Sequence, residues 1–205
     1  MLKPAYMYKT EIEKEFAKVM YDDDYFLYMG YPHGHELPKI EPRDNVYQWA
    51  IIGKEKQTND MWDVLSEVVE IPRKPKEKVI GYFAYQIQPE TDTVLNFGLY
   101  SFDRGNVQIG YDIYNKMKEL VSKYRRIEWR VIDGNPVVRH YDKFCKKNNG
   151  NRVTFHKVIQ DTNGIYRDEH VYEIVKPSND NGAIRIGIDN IPLTTADEYE
   201  LYNRR

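Results

Sequence analysis

Two strand-like runs, one amphipathic helix and a further strand, in that order, constrain this chain more than any other feature of it. Residues 79–88 (VIGYFAYQIQ) and 93–102 (TVLNFGLYSF) are dense in aromatic and β-branched side chains, and the four residues between them hold a proline and an aspartate. That pattern predicts a hairpin. Asp103-Arg104-Gly105-Asn106 then breaks the second run. Ile109, Ile113, Met117, Leu120, Val121 and Tyr124 follow at three- and four-residue steps, which is an amphipathic helix of about four turns. Residues 127–132 (IEWRVI) read as the next strand. A strand joined to its successor through a helix lies parallel to it in the same sheet, with a right-handed crossover. The sequence therefore predicts a parallel pair inside a sheet whose other connections are hairpins.

The flanking segments extend this pattern. Residues 10–20 read as a helix, with Ile12, Phe16, Val19 and Met20 on one side and Glu11, Glu13 and Glu15 near its start, where acids suit the dipole. Residues 31–42 are rich in Gly, Pro and His and read as a loop, and 47–52 as a strand. The segment 59–69 fits a helix face or an extended run equally, and 71–78 is a charged connector. After the strand at 127–132, Asp133-Gly134 turns the chain. Asn135 is placed as an N-cap and Pro136 as the first helical residue, with Gly150 beyond the end. That helix turns Val137, Val138, Tyr141, Phe144 and Cys145 to one side. Tyr141 is either an ordinary core residue or a proton donor aimed at something bound beside the strand. A closing hairpin is expected from 153–159 and 165–175 around a turn at 161–164.

With 205 residues the chain is long enough for one domain with a full core. The domain is expected over 1–176, and a polar linker at 177–182 introduces a C-terminal arm, 177–205. In the arm Ile184, Ile186 and Ile188 alternate as in a short strand, and 196–205 suits a small helix. A net charge of −2 gives no reason to expect nucleic acid. No apolar run reaches the ~20 residues of a membrane helix, and Cys145 has no second cysteine to pair with. A soluble, cytoplasmic protein is the expectation. Tyrosine is abundant, 18 against 7 Phe and 3 Trp. Such side chains suit cores, wet pockets and interfaces alike, so a homodimer is compatible with them but not demanded.

Three segments together resemble the GCN5-related N-acetyltransferase (GNAT) superfamily over roughly residues 6–176. VIGYFAYQI carries Gly81 where the family's third strand has its glycine. LYSFDRGNVQIG (99–110) is similar to its fourth strand running into a pyrophosphate loop. NPVVRHYDKFCKKNNG (135–150) is similar to the segment after its fifth strand, with Asn135, Tyr141 and Lys143 on matching positions. The resemblance implies an α+β, α/β/α-layered fold: a mixed, mostly antiparallel sheet with a central parallel pair that splays apart. It implies acetyl-CoA as co-substrate and direct transfer of an acetyl group to a primary amine acceptor, a small molecule or a peptide. Backbone groups near Leu99, Tyr100 and Ser101 would hold the pantetheine and the acetyl oxygen. Arg104, Gly105, Asn106, Val107, Gln108, Ile109 and Gly110 would meet the pyrophosphate, with Asn135 as a further contact. Tyr141 would protonate the departing thiolate as general acid.

The pattern also departs from the family. The loop is one residue longer than usual, with Val107-Gln108 in the space of one glycine, and the helix at 135–150 lacks the usual Gly-Phe finish. No carboxylate lies inside the fourth strand to act as base. Glu90 and Asp92 precede it, Asp103 follows it, and Glu128 points away from the site if Trp129 faces it. These departures keep a second reading open, a GNAT-like domain that binds a ligand or protein without catalysis. The space between 99–101 and 135–141 separates the two, since a cleft filled by side chains would admit no substrate. Other features have plainer readings. His33-Gly34-His35 lacks a third metal ligand at a recognisable spacing, Asp22-Asp23-Asp24 suits a solvated helix end, and Cys145 has no base beside it.

Overall fold

The computed structural model describes residues 1–19, 39–54, 77–161 and 163–176. In chain order these form β1 (Leu2–Pro4), a 3-10 turn (Ala5–Tyr8), α1 (Lys9–Val19), β2 (Val46–Lys54), β3 (Glu77–Gln88) and β4 (Thr93–Ser101). Then come α2 (Val107–Lys123), β5 (Arg126–Ile132), α3 (Val138–Lys147), β6 (Asn151–Gln160) and β7 (Tyr166–Val175). The strands make one sheet in the order β1-β2-β3-β4-β5-β7-β6. Its neighbours are antiparallel except β4 and β5, which are parallel. This is the mixed, layered α+β arrangement expected from the sequence. The stretches 22–24, 33–35 and 59–69 and the arm 177–205 lie outside the described residues. Among the described residues no helix is long and apolar enough to cross a membrane.

Each face of the sheet has its own core. On one side α1 buries Ile12 and Phe16 against Ala50, Ile52, Val79, Tyr82 and Tyr100. On the other, Ile109, Ile113, Met117 and Leu120 of α2 and Phe144 and Cys145 of α3 pack on Ile51, Ile80, Phe83, Val94, Ile127, Trp129 and Tyr172. Burying one such large apolar side chain contributes about 1.5–3 kcal/mol. Gly81 leaves no room for a side chain between β2 and β4: a Cβ there would stand 2.7 Å from the Tyr100 carbonyl oxygen and 2.9 Å from Ile51 Cδ1.

The helix starts differ from expectation in detail. α2 begins at Val107, because the Asn106 side chain accepts from the Gln108 N–H and caps it. Half of the expected loop is therefore the first helical turn. α3 begins at Val138, after a turn in which Asn135 Oδ1 accepts from the Val137 N–H at 3.0 Å and the Asn135 carbonyl accepts from Val138 N–H. Asn135 thus lies two residues before the N-cap, Val137, and Pro136 belongs to the turn between them. The short β1 carries no periodic signal long enough to predict it.

Candidate active site: the wedge between β4 and β5

The parallel pair is closed at one end and open at the other. β4 and β5 are in register only at Thr93–Arg126 and Val94–Ile127, although both strands continue for several residues. Asp92 fastens the closed end. It adopts a left-handed conformation (φ 50°), its carbonyl accepts from Arg126 N–H, and its carboxylate accepts from Arg125 N–H at 2.8 Å. Beyond Val94 the strand β4 bulges: Asn96 (φ 56°) and Phe97 together stand opposite Tyr85 of β3, where the register shifts. An extra residue in one strand increases local twist and ends regular pairing, and here it carries β4 away from β5.

Alternation of the ladders says which backbone groups face the opening. Phe102 N–H donates to the Ile80 carbonyl, so on β4 Tyr100 and Gly98 bond to β3, and the N–H and C=O groups of Leu99 and Ser101 face the wedge. On β5, Asp133 N–H donates to the Asp168 carbonyl, so Val131 and Trp129 bond to β7 and Glu128, Arg130 and Ile132 turn theirs toward the wedge. Of the three strand-four residues read from the sequence, Leu99 and Ser101 meet the opening. Tyr100 does not: its backbone serves β3 and its ring packs edge-on against Phe16 at 4.9 Å, on the opposite face.

Aromatic side chains fill the floor of the wedge on the α3 side. Phe97 reaches Trp129 of β5 (ring centroids 6.4 Å apart), and Trp129 in turn meets Tyr141 edge-on at 5.8 Å. Above them Leu99, Val137, Val138 and Tyr141 are half-buried against the core, an apolar rim that is not closed over. The Tyr141 hydroxyl has no hydrogen-bond partner among the described residues, and burial pushes its pKa up to about 12. The Trp129 indole N–H is likewise buried without an acceptor among the described residues.

The turn at the end of β4 is less free. Gly105 takes φ 85°, and a Cβ at Gly105 or at Gly110 would meet nothing within 4 Å, so the backbone is open to approach there. Its donors are partly engaged, however. Asn106 N–H donates to the Asp103 carbonyl, Asn106 Nδ2 to the Asp103 carboxylate at 2.8 Å, and Ile109 N–H to the Asn106 carbonyl. The Gln108 side chain runs along its own helix to Asp112 (2.8 Å), whose other oxygen pairs with the Met1 amino group. Val107 and Arg104 are exposed beside this turn. Asn135 contributes its side-chain oxygen to the turn before α3.

Glu128 lies on the face away from Tyr141. Trp129 points into the core beneath α2 and α3, so its neighbour points to the other side, where Glu128 pairs with Arg126 (2.9 Å) and Arg130 (3.5 Å). The bulge at Asn96–Phe97 is the feature that sequence reasoning missed. An Asn inside a β-rich run, tolerant of positive φ, was the signal that could have marked it.

No protein-family model matches this sequence, and no curated protein matches it either. Solved structures do resemble it in chain path. Arabidopsis thaliana NAA60, solved with a bisubstrate analogue, is 13% identical over 86% of this chain and 99% of its own, with a TM-score of 0.48. The ribosomal-protein-S18-alanine N-acetyltransferase of Escherichia coli is 10% identical over 69% and 77%, with a TM-score of 0.42. An N-acetyltransferase from Staphylococcus aureus is 19% identical over 48% and 61%, with a TM-score of 0.38. The chain spans less than two thirds of the length of some of these proteins, 61% of the staphylococcal one and 58% of another solved chain.

Proposed function

We propose that residues 1–176 form a GNAT-type N-acyltransferase domain that moves an acetyl group from acetyl-CoA directly to a primary amine. The observation that carries this reading is the divergence of β4 from β5 after Val94–Ile127, which leaves the backbone groups of Leu99 and Ser101 facing an unpaired opening. An extended, amide-bearing ligand such as pantetheine suits that edge as an added strand would. The half-buried apolar rim of Leu99, Val137 and Val138 suits its alkyl portions. In the transfer the amine nitrogen bonds to the acetyl carbon, the carbon–sulfur bond breaks, and the sulfur leaves as a thiolate while the amine loses a proton to a water-relayed base.

Tyr141 supplies the hydroxyl nearest this rim. With a pKa of about 12 it remains a neutral donor throughout the physiological range. A thiol titrates near 8.5, so complete proton transfer from this phenol to a thiolate is uphill. Its contribution is a hydrogen bond to the departing sulfur, with the proton finally supplied by water. The turn at Asp103–Asn106 has part of its donors engaged and the Asp103 carboxylate beside them, which weakens a pyrophosphate contact there. A reducing, cytoplasmic location suits the buried Cys145 thiol.

Calorimetric titration with acetyl-CoA, beside Tyr141→Phe, tests the acetyl-transfer reading. Binding in the micromolar range by both proteins, with thiol release from acetyl-CoA slowed about a hundredfold in Tyr141→Phe, is the expected result. Absence of binding at millimolar acetyl-CoA would overturn the enzyme reading in favour of a binding scaffold.

A further inference from the structure

Apolar contacts hold α3 to the sheet without fixing how far it slides or turns, since such contacts have no preferred direction. Phe144 and Val138 supply that kind of contact, and the Cys145 thiol adds a weak hydrogen bond to the Asn151 carbonyl at 3.3 Å. A directional tie comes from the residue that follows Tyr141. Asp142 Oδ1 accepts from Tyr172 Oη of β7 at 2.8 Å and from Arg152 Nη1 of β6 at 2.8 Å. Arg152 and Tyr172 are direct cross-strand partners, so both approach the helix from one face of the hairpin.

This tie joins the aromatic group around Tyr141. Tyr172 is fully buried and lies flat on Trp129, with ring centroids 5.1 Å apart and planes inclined by 5°. Tyr141 meets both rings edge-on, at 5.8 Å from Trp129 and 6.0 Å from Tyr172. The charges agree with the geometry. Partial burial pushes the Asp142 carboxyl up, but the hydrogen bonds from Tyr172 and Arg152 outweigh it and hold the group below its ordinary range. Burial, then Asp142, pushes the Tyr172 phenol up, so it stays a donor.

We propose that Asp142 is a positioning residue: clamped by Tyr172 and Arg152, it fixes the axial register of α3 and thereby the point at which the Tyr141 hydroxyl meets the wedge. The proposal rests on the acetyl-transfer reading above. Removing the clamp leaves the wedge and its donors intact and leaves Tyr141 free to shift by a fraction of a turn. Binding of acetyl-CoA is then kept, and the transition-state contact is lost.

A double-mutant cycle between Asp142→Ala, which removes the shared acceptor oxygen, and Tyr141→Phe tests it, with thiol release from acetyl-CoA in water as the rate and calorimetry for binding. Asp142→Ala alone is expected to slow release about tenfold with acetyl-CoA affinity within about twofold. In the Tyr141→Phe background it is expected to slow release no further, because the contact it protects is already absent. Tyr172→Phe, which keeps the buried ring, repeats the effect, and Arg152→Lys keeps most of the parental rate. Full activity in Asp142→Ala, or the same loss in both backgrounds, overturns the positioning role. A parent protein that releases thiol no faster than Tyr141→Phe overturns instead the role given to Tyr141, and the proposal with it.

Discussion

The two ends of the β4–β5 cleft are built from opposite materials. At the closed end a left-handed aspartate staples two chain segments, and regular pairing holds at Thr93–Arg126 and Val94–Ile127. At the open end the ladders turn unpaired groups of Leu99, Ser101 and Ile132 toward each other across a space rimmed by half-buried apolar side chains. A buried sheet that leaves backbone groups unpaired normally loses stability. This one keeps the opening because the Asn96 bulge and the staple define where pairing stops. Pairing is concentrated at one end of the cleft, and unpaired backbone groups are left at the other.

Changes to the wall behind the cleft should have the largest effect. Gly81→Ala places a Cβ 2.7 Å from the Tyr100 carbonyl oxygen, where backbone must give way, and should destabilise by about 1–3 kcal/mol. Gly98→Ala on the same pair of strands meets only Tyr100 Cε2 at 3.5 Å and should stay within about 0.5 kcal/mol. Thermal or denaturant unfolding of the two variants gives the comparison directly, and equal losses would contradict the close approach assigned to Gly81.

Opening the staple comes next. Asp92→Ala removes the carboxylate acceptor of the Arg125 N–H and places a less tolerant residue at φ 50°. A loss of about 1 kcal/mol is expected, small because the site is exposed. Hydrogen exchange should show it first in the Arg125 and Arg126 amides, which both donate to Asp92. Faster exchange at Val131, on the β7 side, but not at Arg126 would place the weak point away from the staple.

The smallest effect is expected at the mouth. Asp103→Asn removes a negative charge beside the turn that would face a pyrophosphate while keeping a partner for Asn106 Nδ2. Acetyl-CoA affinity should rise by roughly threefold at low salt and less at high salt. Unchanged affinity would separate that turn from the ligand's phosphates.

Much of this architecture was legible in local pattern. The runs at 79–88 and 93–102, the helical spacing from Ile109 to Leu120, and the shared apolar side of Val138, Tyr141, Phe144 and Cys145 depend on residues close in sequence, and each appears as read. The geometry around the wedge was legible only in part. Tyr141 packs on Trp129 of β5, while the Tyr100 backbone bonds to β3, because which backbone groups face a neighbour follows from ladder parity, and parity is set by a partner strand. Gln108 was expected at the pyrophosphate, but its side-chain amide donates to Asp112 one turn on.

The sequence by itself determined the kinds of elements, their order and the parallel crossover, since these follow from periodicity, capping and turn chemistry within short spans. Tertiary structure alone decided where the parallel pair lets go, which side of β4 is open, and how Asp142 of α3 meets Arg152 and Tyr172. Those outcomes depend on a bulge against β3, on register with β7 and on contacts between residues 10 and 30 apart in sequence. A run of letters fixes the period of a strand, but its register is an agreement between two strands, and only packing enforces it.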